Sequence, residues 1–230
     1  MTTVLHEVFI AILGIAYAEG DYNGCQQNRK INNDTRNKFL EMHNGFRCIA
    51  CLFSNYLFIR SEQNSYRSLF AQKNKASKME KLIYDCDLEN SAYNSQRACE
   101  TDQSKPSTEE ENLYFPEEET YIPEEDMDDR NFALEAVNSW SSEIFDLKEN
   151  VYKFKNTSSI ANIVWDSHNR VGCAVVDCSG KTHVVCHYGP KVKGDGKTIY
   201  EKGEKACSGC ENGGTCDDEF DGLCPVKLSH

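Results

Sequence analysis

Cysteine is the residue in this chain with the most chemistry to offer, at twelve positions among 230. Thiols at this density either bridge one another in an oxidising compartment or hold metal. Two CxxC spacings occur, Cys48-Ile49-Ala50-Cys51 and Cys207-Ser208-Gly209-Cys210, and each is half of a zinc site by spacing. They lie far apart, and neither has a second CxxC at finger-like distance, so disulfides are the better reading. Histidine offers less, because His168, His183 and His187 sit in predicted strand or turn positions with no ligand spacing between them.

The amino terminus points to the same compartment. An apolar run over residues 8–18 ends in Ala16-Tyr17-Ala18 before Glu19, the pattern of a secretory signal peptide at 1–18, although its start lacks lysine and arginine. The run is too short to span a bilayer, and no later segment reads as a membrane span. A net charge of −12 argues against nucleic acid and against anionic membrane surfaces. Asn33-Asp34-Thr35 and Asn156-Thr157-Ser158 are glycosylation sequons, expected at the surface.

Periodicity supplies the elements that position these residues. The spacing of Phe39, Met42, His43 and Phe46 predicts a helix over 34–47, with Asn33 or Asp34 as its cap. Met79, Leu82, Ile83, Cys86, Ala92, Tyr93 and Cys99 predict a second over 76–99. Residues 108–129 carry dense carboxylates with Pro116 and Pro123, which predicts a solvated loop. A helical pattern resumes over 131–147. Short β-branched runs predict strands at 160–165, 171–177 and 182–188, the last two as an antiparallel hairpin. The tail, with Cys207, Cys210, Cys216 and Cys224 among glycines, reads as a small disulfide knot.

Seven motifs run in a recognisable order: FLEMHNGFR, KASKMEKLIYDCDLENSAYNSQRAC, ENLY, AVNSWSSE, VWDSHNRVGCAVVDC, VVCHYGP and GKTIYEKGEKACSGC. Together they resemble the CAP superfamily of cysteine-rich secretory, antigen 5 and pathogenesis-related 1 proteins, and in particular nematode venom-allergen-like proteins. The resemblance implies an α+β fold, a three-layer α-β-α sandwich around an antiparallel sheet with a small C-terminal cysteine-rich extension. It implies boundaries at 1–18 for the signal peptide, 19–190 for the CAP domain and 191–230 for the extension.

Such proteins typically carry a cavity tetrad of two histidines and two glutamates able to bind a divalent cation. Glu111 of ENLY and Glu143 of WSSE stand at the glutamate positions, but Gln103 and Ser159 stand where the histidines belong. Two carboxylates and an amide make a poor zinc site, so divalent-cation binding is expected to be weak or absent, and no cofactor is expected. His43 belongs to the first helix's HN..R pattern and reads as structural. With the cavity histidines replaced, the general base of a nucleophilic triad is missing, and the chain is expected not to be an enzyme.

The resemblance then implies a secreted protein acting by binding, with a sterol or fatty acid, or a host protein in an immunomodulatory role, as partner. Tyr114, Phe115, Tyr121 and Ile122 are the loop residues that could meet a lipid. A cavity hydrolase, a metal-dependent activity and a pure protein-interaction module are the alternatives. The sequence does not fix the oligomeric state.

Residues 48–67 interrupt the family pattern, since their removal would leave HNGFRSLFAQ and restore the HN..RS ending. A retained intron or faulty gene model, a longer first helix, and an apolar flap for lipid or a partner all fit, and the restored motif favours the first. Setting Cys48 and Cys51 aside leaves Cys25, Cys86, Cys99, Cys173, Cys178, Cys186, Cys207, Cys210, Cys216 and Cys224 as an even set for disulfides.

Overall fold

Two adjacent β-strands, each buried on both faces, organise the chain. A computed structural model describes residues 22, 25, 31–44, 66–100, 110–116, 132–143, 147, 149–153, 158–192 and 194–226. Strands β3 (Arg170–Cys178) and β4 (Lys181–Gly189) form an antiparallel hairpin with Cys173 opposite Cys186. Strand β1 (Ile83–Tyr84) joins β3 in parallel, and β2 (Glu111–Tyr114) joins β4 antiparallel, giving the order β1-β3-β4-β2.

Alternation along the strands assigns the layers. Val171, Cys173, Val175, Val184, Cys186 and Tyr188 join the large core with helices α1 (Asn33–Asn44), α4 (Phe132–Ser142) and α5 (Ser158–Val164). On the opposite face Ala174, Val185 and Leu113 pack with Ala92 of helix α3 (Cys86–Tyr93) and with Ala98. This is a three-layer α-β-α sandwich. Helix α3 approaches β3 so closely that a Cβ on Gly172 would lie 2.2 Å from the Glu89 backbone nitrogen and 2.4 Å from the Asp85 carbonyl oxygen.

Helix α1 starts one residue earlier than the sequence suggests. Asn32 caps it, its Oδ1 accepting from the Thr35 backbone nitrogen at 2.9 Å and hydroxyl at 3.0 Å. Its last residue, Asn44, exchanges two 2.7 Å hydrogen bonds with the Leu82 backbone. Inside it, buried Arg36 donates to both oxygens of buried Glu89 of α3, at 2.6 and 2.7 Å, tying the helix to the far layer.

The long helix expected over 76–99 is corrected. Helix α2 (Tyr66–Asn74) ends before Lys75, at φ 55°, and residues 75–81 run as a turn, bends and isolated bridges against residues 202 and 224. The backbone nitrogen of Ser77 donates to Glu201, that of Lys81 to Cys224, and that of Cys224 to Met79. Only from Cys86, capped by Asp85, does the chain become helical again. Local spacing could not reveal that these amides pair with residues more than a hundred positions away.

Two further expectations change. Residues 158–164 form helix α5 rather than a strand, because a short apolar run buried on every side fits either element and Glu143 caps this one. The expected solvated loop over 108–129 contains β2 instead, and Glu111 of that strand and Glu110 just before it are buried.

Among the described residues, five disulfides join Cys25–Cys86, Cys99–Cys178, Cys173–Cys186, Cys207–Cys216 and Cys210–Cys224. The tail is fastened to the domain, with Phe220 and Leu223 in the main core and the Asp221 carbonyl accepting from Ser68 and Gln72. The proposed leader at 1–18 and nearly all of 48–67, Cys48 and Cys51 included, lie outside the described residues.

Two substitutions test this frame. Arg36→Ala should lower the unfolding free energy by about 3–5 kcal/mol, because it strands a buried carboxylate. Gly172→Ala should cost about 1–3 kcal/mol or more through overpacking against α3. Chemical denaturation of the disulfide-intact protein measures both.

Candidate functional site

At the β2–β4 pairing Glu111 lies directly opposite His187, which places a carboxylate and an imidazole side by side on the sheet face that carries α3. His187 Nε2 stands 3.0 Å from Glu111 Oε2, and both side chains are almost wholly buried. The Ser95 hydroxyl donates to the same oxygen at 2.5 Å, while Arg97 Nη1 donates to Oε1 at 2.9 Å. On the other edge of the ring, His187 Nδ1 lies 2.9 Å from the hydroxyl of Ser91, which is exposed on α3.

Burial alone would raise the Glu111 pKa. Hydrogen bonds from His187 and Ser95, with the charges of His187 and Arg97, outweigh it and hold the carboxyl below its ordinary value. Glu111 is therefore ionised at neutral pH and can only accept. Its bond to His187 places a proton on Nε2, and in the tautomer protonated only there Nδ1 accepts from the Ser91 hydroxyl.

Glu143 is engaged elsewhere. One of its oxygens accepts from the backbone nitrogens of Ser159 and Ile160 at 3.1 and 3.2 Å, capping α5. Ser159 thus meets Glu143 through its amide, and its carbonyl accepts from Asn112 at 3.0 Å. The two glutamates share no hydrogen bond in the structure, and Gln103 lies outside the described residues.

The sequence offers no ligand spacing for His187, and strand pairing places it beside Glu111. ENLY falls in the stretch that the sequence predicts as a loop, and only strand pairing brings position 187 to position 111. The signal available was alternation: Glu111 and Leu113 on one face of a strand, Asn112 and Tyr114 on the other.

A separate polar network runs beneath the opposite face. His43 Nδ1 donates to the Phe39 carbonyl at 2.6 Å, so its Nε2 accepts from the Tyr188 hydroxyl at 2.7 Å. That hydroxyl accepts from Asn112 at 3.1 Å, and Asn162 donates to Asn112 Oδ1 at 2.7 Å and to the Glu111 carbonyl at 3.1 Å. His43 also approaches Cys173 and Cys186, but those sulfurs are joined to each other and His43 already has both nitrogens bonded, so the trio is not a metal site.

The donor set does not fit the divalent cation that the family tetrad implies. Both Glu111 oxygens hold internal donors, two of them cationic or able to become so, and Glu143 is committed to two amides. The remaining candidates are dispersed. Tyr114 donates to Glu135 at 3.4 Å, and Phe115 meets the His183 ring edge-on at 4.4 Å between centroids, both half-buried. Tyr121, Ile122 and Asn156 lie outside the described residues, and Asn33 is exposed at the start of α1.

Comparison with known proteins places these features. Residues 40–188 match the family model described as CAP, the cysteine-rich secretory protein family. Hookworm platelet inhibitor 1 of Ancylostoma caninum is 50% identical over 220 residues, covering 94% of each chain. The crystal structure of hookworm platelet inhibitor superposes with a TM-score of 0.70 at 47% identity, covering 91% of this chain and all of that one. Ancylostoma secreted protein, from the same organism, is 29% identical over 213 residues, which span 87% of this chain and 46% of that protein.

The geometry sets two measurable outcomes. Because the pKa of Glu111 is depressed in the folded state, the stability it contributes is complete at neutral pH and is lost as pH falls below the usual glutamate value of about 4.3. A Glu111→Gln variant should show a shallower fall in Tm between about pH 5 and pH 3 than the unaltered protein. Isothermal titration with zinc at neutral pH should give no submicromolar binding; such binding, lost in Glu143→Gln, would show that a metal can displace these partners.

Proposed function

This chain belongs to the cysteine-rich secretory protein (CAP) family, and we propose from that membership that it is a secreted, non-enzymatic protein that acts by binding a host protein, with platelets as the first target to test. The observation that carries the proposal is 50% identity, over 94% of both chains, to a protein whose name states platelet inhibition. Every described cysteine is disulfide-bonded, which supports passage through an oxidising compartment. Among the described residues no helix is long and apolar enough to cross a membrane.

A binding role also agrees with the chemistry of the family cavity positions. Glu111 and Glu143 each hold up a neighbouring element, and neither is left to polarise a substrate. Asn33, exposed in its sequon, is the position we assign to glycan attachment within the described residues, with Asn156 as the second sequon. Sterol or fatty-acid carriage is the rival reading. It draws little from Tyr114 and Phe115, which are half-buried against Glu135 and His183.

Protein secreted from eukaryotic cells, with its disulfides verified, should inhibit agonist-induced aggregation of washed platelets in a saturable, dose-dependent way. Inhibition should disappear after reduction and alkylation. Full aggregation at micromolar protein, together with saturable binding of radiolabelled cholesterol or palmitate, would replace this reading with the carrier.

A further inference from the structure

We propose that Ser91 is a nucleophile activated by His187, able to accept an acyl group from an activated ester at the surface of helix α3. The proposal goes beyond the binding role above, and it concerns Ser91, which that role does not use. Ser91 is an exposed residue whose hydroxyl lies 2.9 Å from His187 Nδ1, and the far side of that ring meets Glu111 Oε2 at 3.0 Å from Nε2. A hydroxyl, an imidazole and a buried ionised carboxylate in series meet the requirements for nucleophilic activation: a base within hydrogen-bond reach and a group that fixes the base's tautomer.

Other buried histidines show how differently such a ring is usually satisfied. His43, His168 and His183 each give their Nδ1 proton to a backbone carbonyl, of Phe39, Asn162 and Ala98 respectively. The Glu111 bond reverses this for His187, since it holds a proton on Nε2, and in the ring protonated only there Nδ1 is the acceptor that faces Ser91, an exposed residue of α3. Arg97 and Ser95 hold Glu111 from its other side and keep its carboxylate oriented. The order of nitrogens is the reverse of the serine-protease arrangement, with the carboxylate on Nε2, but the proton path is the same.

In the step proposed, Ser91 Oγ forms a bond to the ester carbonyl carbon as its proton passes to His187 Nδ1. The carbon–oxygen bond of the ester then breaks, and the leaving alkoxide takes that proton. The products are acyl-Ser91 and the free alcohol. Ser91 sits within α3, whose backbone amides are committed to the helix, so the helix offers no oxyanion pocket. Stoichiometric acylation, rather than rapid turnover, is what this arrangement supports.

The test uses the full, disulfide-bonded protein and p-nitrophenyl acetate. A burst of one equivalent of p-nitrophenolate is expected, with the acetyl group mapped to Ser91 by peptide mass analysis. Ser91→Ala should abolish the burst, and His187→Gln should slow acylation about 10²-fold or more. Glu111 is a positioning residue here. In Glu111→Gln the ring-nitrogen chemical shifts of His187 should lose the Nε2–H tautomer while near-ultraviolet circular dichroism stays native. The proposal is overturned if Ser91 acetylates no faster than exposed Ser208 in the same sample, a comparison that holds even if a variant fails to fold. Labelling at Ser91 that His187→Gln leaves unchanged would overturn it equally.

Discussion

Nine-residue strands paired end to end, from Arg170 opposite Gly189 to Cys178 opposite Lys181, are the constraint on which the rest of this molecule depends. Both faces of this hairpin are buried, so each residue is assigned by parity to one of two layers. The larger layer receives cysteine, valine and tyrosine side chains; the smaller receives glycine, alanine, valine and two histidines. A slip of one residue would put Tyr188 under α3 and His187 in the main core. Covalent closure of Cys173 to Cys186, directly opposite in register, removes that alternative.

Gly172 shows how tightly the smaller layer is set. Its missing side chain lets α3 lie within reach of the strand, and this proximity brings Ser91 to His187 and Glu89 to Arg36. Burying a bidentate ion pair across the sandwich is costly unless every charge is matched, and here Arg36 donates to both Glu89 oxygens while Tyr84 donates to one of them. The polar contacts therefore depend on the packing, and their geometry in turn fixes how α1 and α3 can lie.

Much of this was legible in the sequence and some was not, for a physical reason common to the failures. Helices α1 and α4 and the β3–β4 hairpin have strong local periodicity and sit within a few residues of where it places them. The 75–81 segment has helical spacing too, yet its amides pair with Glu201 and Cys224, a contact that no window of neighbouring residues contains. Strand β2 hides in the same way: four residues in an acidic stretch become a buried edge only because β4 offers them partners. At the candidate site, motif order located Glu111 and Glu143, whereas His187 and Ser91 became visible only once strand register and the α3 approach were known.

The fate of the two glutamates shows how buried carboxylates are satisfied when the family imidazoles are absent. A buried carboxylate must find positive charge or donors, and Glu111 takes a guanidinium, a hydroxyl and an imidazole from its own domain. Glu143 takes two amides at the start of α5, where the helix favours negative charge. For a metal to pool the two, it would have to expose those amides and expel Arg97, losing several charge-assisted bonds to gain a pair of oxygen ligands. Internal partners thus act in place of a cation: those of Glu111 join β2, β4 and the segment after α3, and those of Glu143 hold the start of α5. Ser91, an exposed residue of α3, is backed by a ring whose Nε2 proton the buried carboxylate holds.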